Sequence, residues 1–257
     1  MQGFAAPDQD VHYIQARPSL IAQVRRADLV FCTGADLEVG WLPVLLRQAG
    51  NAKVQPGQSG YLEAASAVKL LDVPVSVDRS QGDVHPFGNP HIQTDPRNIA
   101  FVAAALNERL QQLDPPHAQQ YGARFDDFSR RWRNAMERWT TQGKSLHGMA
   151  VVTHHKSFLY LENWLGMIDA ANLEPKPGVE PTTGHLSSLI DIVKTQHVQA
   201  IVRASYQDSR ASEWLASRTG VKAIVVPHTI DSVPHTDSLF ELFDAMLAAL
   251  KAVQVTQ

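Results

Sequence analysis

Met149-Ala150-Val151-Val152-Thr153-His154-His155 opens the half of the chain in which the fold is easiest to read. Its first five residues form an apolar, partly β-branched run, which is typical of a buried strand. Helices and further strands then alternate, with strands predicted at residues 199–204 and 221–226. This alternation predicts an α/β fold in which helices cover a parallel sheet. Ligands of such sheets bind beyond the carboxyl ends of the strands, where we expect His155 to lie.

The N-terminal half alternates in the same way. Its predicted strands are residues 28–34, 52–54 and 74–77, and its predicted helices are residues 18–26, 38–49 and 96–113. The segment at 78–96 has no pattern of its own and is rich in Gly, Pro, His and Asp. Unstructured loops of this length are usually functional or disordered.

Residues 116–142 are predicted to form one long helix. Apolar and aromatic residues recur along it at spacings of three and four: Tyr121, Phe125, Phe128, Trp132, Met136 and Trp139. We interpret this stripe as the core-facing side of the helix, in preference to an aromatic box around a cofactor. We therefore predict two lobes, each a mostly parallel sheet flanked by helices, joined by one long backbone helix. The predicted boundaries are an N-terminal lobe at 1–114, a linking helix at 115–146 and a C-terminal lobe at 147–257.

Composition excludes several classes of protein. The net charge of −3 and the lack of a Lys/Arg cluster give no reason to expect nucleic acid as a partner. The single cysteine, Cys32, excludes an internal disulfide and a cysteine-based metal site, and its apolar neighbours predict a buried thiol. No apolar segment approaches the ~20 residues of a membrane span, and no signal-peptide pattern is predicted at the N-terminus.

Histidines are the most informative polar residues. Gly88-Asn89-Pro90-His91-Ile92-Gln93-Thr94-Asp95-Pro96 holds one His in a tightly specified loop, because Asp95 suits an N-cap and Pro96 the first helical position. His12, His155 and His228 occupy comparable places at strand ends or in loops that enter helices. We predict that these four side chains bind one metal ion.

Several alternatives stay open at the level of the residues. Asp231 competes with His228 as an oxygen ligand, and His154 is interpreted as a packing or supporting neighbour of His155. His85 is expected to shape its loop or to support a ligand. No H-x-x-x-H or C-x-x-C pair occurs, so a site must be assembled from distant loops of both lobes.

Several motifs together resemble one known family. They are Gly88-Asn89-Pro90-His91 followed by Thr94-Asp95-Pro96, Thr153-His154-His155-Lys156-Ser157-Phe158-Leu159-Tyr160, Glu174-Pro175-Lys176-Pro177-Gly178, and Asp10-Val11-His12 with Arg17-Pro18-Ser19. The set, which covers nearly the whole chain, resembles the metal-binding solute-binding proteins of zinc and manganese ABC transporters, the zinc type of cluster A-I.

The resemblance implies a ligand set and a function. Carried over by position, the family's first three ligands fall on His12, His91 and His155. The fourth ligand of the family is usually an Asp or Glu in the last loop, and Pro227-His228 holds that place here, with Asp231 close by. The resemblance also implies a periplasmic or other extracytoplasmic monomer that captures Zn²⁺ between its lobes and delivers it to the membrane permease of an ABC transporter.

Two features depart from the family pattern. The long His-rich loop of many zinc-specific members is missing, and only residues 82–85 stand in its region. Family members also have a signal peptide and a strand, helix and strand before the first ligand, whereas this chain reaches His12 almost at once. We therefore expect a truncated N-terminal lobe.

Zinc fits the predicted ligands better than manganese. Imidazoles suit the tetrahedral, borderline-soft Zn²⁺, whereas Mn²⁺ favours more carboxylate oxygens. Each imidazole is expected to donate its second N–H to a carboxylate or carbonyl, with Asp83, Asp95 and Glu174 as candidates. A zinc-dependent hydrolase with an open coordination position is the alternative, but no acidic residue adjoins a ligand as in H-E-x-x-H, so we expect no enzyme. A third interpretation is a metal-free α/β interaction module.

Overall fold

The computed structural model of the chain describes residues 3–7, 9–76, 82 and 85–254. The helices are α1 (Pro18–Arg25), α2 (Leu42–Ala49), α3 (Pro96–Leu113), α4 (Ala118–Gly143), α5 (Leu159–Leu165), α6 (Thr183–Thr195), α7 (Ser209–Thr219) and α8 (Leu239–Gln254). The strands are β1 (Val30–Cys32), β2 (Tyr61–Glu63), β3 (Ala150–Thr153), β4 (Ile168–Asn172), β5 (Ala200–Arg203) and β6 (Ala223–Val225). The predicted α/β fold, with parallel sheets and flanking helices, is confirmed. Over the residues described, no helix has both the length and the apolar character needed to cross a membrane.

The chain divides into two compact units. The first comprises Met1–Pro74, His85–Ile92 and Arg97–Arg133, and the second comprises Val75–Val84, Gln93–Pro96 and Asn134–Gln257. The lobe boundaries given above stay a prediction.

The first unit contains a parallel pair of strands, β1 and β2, in which Val30 lies opposite Tyr61 and Cys32 opposite Glu63. Proline at the start of both α1 and α2 fits the first helical turn, where no backbone N–H is needed. α2 ends at Gly50, whose φ of 64° suits a left-handed C-cap. The buried core between these helices and β1 includes Leu20, Val24, Val30, Leu42, Leu45, Leu46 and Val54.

The second unit is built on a parallel four-stranded sheet with the order β4-β3-β5-β6. All four residues of β3 are buried, as expected for a strand in the middle of a parallel sheet that helices cover. The core against α6 and α7 includes Val152, Leu173, Leu189, Val193, Ile201 and Leu215. His154 and His155 therefore follow directly after β3, and His228 lies three residues after the end of β6.

The predicted long helix is present as α4, whose 26 residues span about 39 Å. Trp132 and Trp139 of the apolar stripe are fully buried, and the other four members are half-buried. Phe128 stacks on Trp132 with ring centroids 5.2 Å apart. In the second unit, Trp139 packs against Phe243 of α8 and donates a hydrogen bond from Nε1 to Asp244 Oδ1 at 2.6 Å. The stripe is thus a packing surface.

Two strand predictions in the first half are wrong. Ala52–Val54 forms a single 3₁₀ turn, because the Asn51 side chain accepts a hydrogen bond from the Lys53 N–H at 3.1 Å and holds the backbone in a turn. Residues 74–76 are not in a strand, since Val75 is fully exposed and has no sheet to pack on, while Val77 lies outside the described residues.

Two strands were missed. β2 has only three residues and follows a glycine-rich turn, and β4 has the sequence Ile-Asp-Ala-Ala-Asn, with little β propensity. Both strands form because a neighbouring strand provides backbone hydrogen-bond partners. Val30 N–H donates to Gly60 O just before β2, and four of the five residues of β4 pair with β3, with a register shift at Ala170. In the predicted loop at 78–96, residues 78–81, 83 and 84 lie outside the described residues, and Ile92–Thr94 forms a 3₁₀ turn.

Candidate metal centre

The loop that carries His12 belongs to the first unit. Asp10 Oδ1 accepts a hydrogen bond from His12 Nδ1 at 2.7 Å and another from the His12 backbone N–H at 3.0 Å. Because a carboxylate only accepts, Nδ1 carries the proton, and Nε2 keeps the lone pair that a metal ion needs. The loop itself is held by Trp41, whose Nε1 donates to Val11 O at 2.8 Å.

The loop that carries His91 lies in the same unit and is more deeply buried. Asn89 holds this loop through two hydrogen bonds. Its side-chain Oδ1 accepts the His91 backbone N–H at 2.9 Å, and its backbone N–H donates to Leu71 O at 2.8 Å. Asn98, in the first turn of α3, donates from Nδ2 to Ile92 O at 3.0 Å. The His91 side chain is 3% exposed. The rigid loop predicted from Asn-Pro-His and Asp-Pro is therefore present.

Three imidazoles of the first unit come together. The ring centroids of His12 and His91 lie 5.5 Å apart, and those of His12 and His85 lie 5.4 Å apart. Nitrogen atoms of His12 and His91 approach within 4.8 Å of one another. Two imidazole nitrogens on one tetrahedral Zn²⁺ ion lie about 3.4 Å apart, so the two nitrogens are near the spacing that a shared ion would require.

In the second unit, His155 follows β3 and is held by Glu174. Its Nδ1 donates to Glu174 Oε2 at 2.8 Å, and the same oxygen accepts the Gly178 N–H at 3.0 Å. Both side chains are nearly buried, at 11% and 15% exposed. As at His12, the carboxylate holds the proton on Nδ1, so the lone pair of the imidazole is on Nε2. Glu174 was among the expected acceptors, and this part of the expectation is confirmed.

His154 stands on the other side of the same carboxylate. Its Nε2 lies 3.9 Å from Glu174 Oε1. Burial lowers the pKa of His154, although the negative charge of Glu174 opposes that shift. His154 is therefore a buried imidazole whose neutral form is favoured and which packs beside the Glu174 carboxylate, as interpreted from the sequence.

The two candidates for the fourth ligand differ in their surroundings. His228 is buried and packs edge-to-face on Tyr206, with ring centroids 4.7 Å apart. Asp231 is exposed, with a φ of 58°, and its backbone N–H donates to Thr236 O at 2.9 Å. Both lie in the second unit, in the segment between β6 and α8.

Asp10 is the supporting residue that was missed. The available signal was the spacing Asp-x-His, since an Asp side chain readily bonds the backbone N–H two residues on. Of the other expected acceptors, Asp83 lies outside the described residues, and Asp95 is buried next to α3. Each unit thus offers a histidine whose Nδ1 donates to a carboxylate, which places the lone pair on Nε2, the atom that a divalent cation would bind.

Comparison with known proteins identifies the family. The family model described as ZnuA, zinc-uptake complex component A, periplasmic, matches residues 1–253. The chain belongs to this family. Members of the ZnuA family are metal-binding substrate-binding proteins of ABC transporters and deliver metal to a permease. They are not enzymes, which sets aside the hydrolase alternative.

The relatives of this chain share about a fifth of its residues, and their names refer to different metals. The metal ABC transporter substrate-binding lipoprotein SloC of Streptococcus mutans is 22% identical over 249 residues, which cover 93% of this chain and 76% of SloC. The high-affinity zinc uptake system protein ZnuA of Yersinia pestis is 22% identical, over 73% of this chain and 62% of that protein. The iron ABC transporter substrate-binding lipoprotein MtsA of Streptococcus pyogenes is 22% identical, over 83% and 67%.

Solved structures share the fold. A crystal structure of ZnuA superposes with a TM-score of 0.77 at 19% identity, covering 98% of this chain and 88% of that one. A Mn-bound periplasmic metal-binding protein from Candidatus Liberibacter asiaticus gives 0.75 at 17% identity, covering 95% and 88%. The family binds divalent metals, and the names of its members include zinc, iron and manganese.

Proposed function

We propose that this chain captures Zn²⁺ with His12, His91, His155 and His228 and delivers it to the permease of an ABC transporter. We infer that it acts outside the cytoplasm, as the names of periplasmic and lipoprotein relatives suggest, and that it acts as a monomer. One observation carries the proposal: His12 and His155, in different units, each donate Nδ1–H to a carboxylate at 2.7–2.8 Å. Such carboxylate–histidine pairs orient imidazoles toward zinc and raise their basicity.

The choice of zinc follows from the donor atoms. Four imidazoles form a neutral nitrogen set, which suits a tetrahedral Zn²⁺ ion. Mn²⁺ prefers oxygen ligands, and the carboxylates Asp10 and Glu174 use their oxygens on histidines. His228 is favoured over Asp231 as the fourth ligand because it is buried, whereas Asp231 is exposed.

Delivery to the permease is supported by the surface around the first-unit histidines. Tyr13, Val39 and Phe87 are each 61–63% exposed, although all three are large and apolar. Tyr13 and Phe87 lie one and two residues from His12 and His85, and Val39 precedes Gly40, whose added Cβ would lie 3.6 Å from His12 O. We call Tyr13, Val39 and Phe87 the apolar rim. An apolar rim beside the ligands suits contact with a protein partner.

The ligand proposal is tested by the metal content and zinc affinity of the purified chain. The wild type should hold one zinc per chain, and His91→Ala should lose it or bind it at least 100-fold more weakly. His12→Ala and His155→Ala should behave alike, whereas His117→Ala, at an exposed position between α3 and α4, should bind as the wild type does.

The remaining parts of the proposal have their own readouts. If Asp231→Ala weakens zinc binding and His228→Ala does not, the fourth ligand is the aspartate. If manganese competes with zinc at equal concentration, the zinc preference is wrong. Light scattering of the zinc-loaded protein should give the mass of one chain. A wild type that holds no zinc when zinc is supplied would overturn the capture function.

A further inference from the structure

The turn between β1 and α2 has an unusual backbone. Gly34, Ala35 and Asp36 follow one another with φ values of 80°, 51° and 62°. Glycine adopts this left-handed region freely, but a residue such as alanine does so at a cost of about 1–2 kcal/mol. Runs of this kind persist only where the surrounding structure fixes them, so something must hold this turn closed.

The Glu38 side chain closes the turn. Its Oε1 accepts the Thr33 N–H at 2.8 Å, and its Oε2 accepts the Gly34 N–H at 3.1 Å, so both oxygens are used on the backbone. The residue is only 8% exposed, and burial raises the pKa of its carboxyl group. The folded chain therefore holds this carboxyl group where burial disfavours its charge. A buried carboxylate retained in this way suggests a role in placing the backbone.

The turn is connected to the metal-ligand loop through Trp41. The Glu38 carbonyl accepts the Trp41 backbone N–H at 3.1 Å, and the buried Trp41 indole donates to Val11 O at 2.8 Å. Val11 directly precedes His12. The neighbouring Gly40 approaches the same loop, since a Cβ added there would lie 3.6 Å from His12 O.

These contacts divide the placement of His12 into two tasks. Asp10 fixes the imidazole relative to its own backbone, through Nδ1 and the backbone N–H. The Trp41 indole fixes that backbone relative to the rest of the first unit through its bond to Val11 O. The Glu38 carbonyl in turn fixes the backbone of Trp41 by accepting its N–H. A shift of about 1 Å at a positioning group is enough to weaken a metal site, because ligand distances tolerate only a few tenths of an ångström.

We propose that Glu38 is a positioning residue for His12, acting through the left-handed turn and the Trp41 indole. The inference rests on the proposed zinc function and adds to it a residue that contacts no ligand. Its consequence is that zinc affinity depends on a carboxylate in the turn that leads into α2. The effect requires the indole N–H of Trp41, because its hydrogen bond to Val11 O connects the turn to the His12 loop.

The test uses Glu38→Gln, Trp41→Phe and the double variant in the full-length chain. Glutamine has one acceptor oxygen where two N–H groups need one each, and phenylalanine keeps an aromatic ring but loses the indole N–H. Each single variant should bind zinc about 10-fold more weakly, and the double variant no more than a few-fold weaker than either. The visible spectrum of the Co²⁺-loaded protein should also change, since it reports the geometry of the ligands.

Asn51→Ala is the matched control. Asn51 donates to Val24 O and Ala27 O in the same unit, so its loss should lower the urea midpoint and leave zinc affinity and the Co²⁺ spectrum unchanged. If Glu38→Gln and Trp41→Phe bind zinc as the wild type does, this inference alone is wrong and the zinc function stands. Independent, multiplying effects of the two variants, or an equal loss in Asn51→Ala, also overturn it. A wild type without zinc overturns both.

Discussion

Asp10 and Glu174 do the same work at two distant points of the chain. Each accepts a hydrogen bond from Nδ1 of a histidine and also holds a backbone N–H, that of His12 in one case and of Gly178 in the other. The carboxylate thus sets the tautomer and the direction of the ring together. Asp10 and Glu174 can therefore affect metal binding through His12 and His155 without contacting the ion.

We predict that Glu174→Gln and Asp10→Asn each weaken zinc binding by about 10–100-fold, because the amide keeps the shape but loses the charge that makes the imidazole a better ligand. Competition with a chromophoric chelator measures the affinity. Asp114→Asn is the control, since Asp114 pairs with the exposed His117. Unchanged affinity in both variants would mean that the carboxylates only stabilise their loops.

Glu162, in α5, gives a pH dependence to stability. Burial, with a smaller contribution from Asp169, raises the pKa of this carboxyl from 4.5 to about 8. The folded chain therefore holds a proton that the unfolded chain releases between these values, so the contribution of Glu162 to stability is fully present below about pH 4.5 and falls as pH rises toward 8. The slope for this one proton is at most about 1.4 kcal/mol per pH unit.

Glu162→Gln should remove this part of the pH dependence. Urea unfolding of the variant and the wild type at several pH values from 5 to 9 isolates it, because all other groups titrate in both proteins. The variant should gain stability relative to the wild type as pH rises. A constant difference between the two proteins across that range would show that Glu162 has an ordinary pKa.

At the scale of elements, the sequence predicted those features that depend on neighbouring residues in the chain, such as the ends of helices. Proline begins the predicted helices at 18–26 and 96–113, and glycine follows the predicted helix at 38–49; in the structure α1 and α3 begin at those prolines, and α2 ends just before Gly50. β4 was missed because its sequence has little β propensity, and pairing with β3 makes it a strand. The same limit applies to the candidate site: the histidines stood out, but Asp10 and Glu38 matter through contacts that no periodicity records.

Two glycines test how the elements pack. A Cβ at Gly60, just before β2, would lie 2.5 Å from Lys53 O and 2.6 Å from Asp28 O, which are backbone atoms that cannot move aside cheaply. Gly60→Ala should therefore destabilise the chain by about 1–3 kcal/mol. Gly184, exposed in α6, has open space around it, so Gly184→Ala should stabilise by about 0.5–1 kcal/mol. Urea midpoints of the two variants moving in the same direction would contradict this pair of predictions.

For the molecule as a whole, capture and delivery place different demands on the surface. Capture needs buried imidazoles on fixed carboxylates, whereas delivery needs side chains that a permease can reach. Under the proposed function, the apolar rim serves delivery, because its side chains are exposed and two of them, Tyr13 and Phe87, lie within two residues of His12 and His85. Substitutions in the rim should therefore separate the two steps.

We predict that the double variant Tyr13→Ser with Phe87→Ser binds zinc as tightly as the wild type but supports several-fold less zinc uptake. Uptake is measured with radioactive zinc in native host cells that lack this chain and receive either version. Phe101→Ser is the matched control, because Phe101 is 59% exposed on α3 in the same unit and equally aromatic. If the control lowers uptake as much as the rim variant, general exposure of apolar groups explains the effect; if neither lowers it, the permease contacts another face.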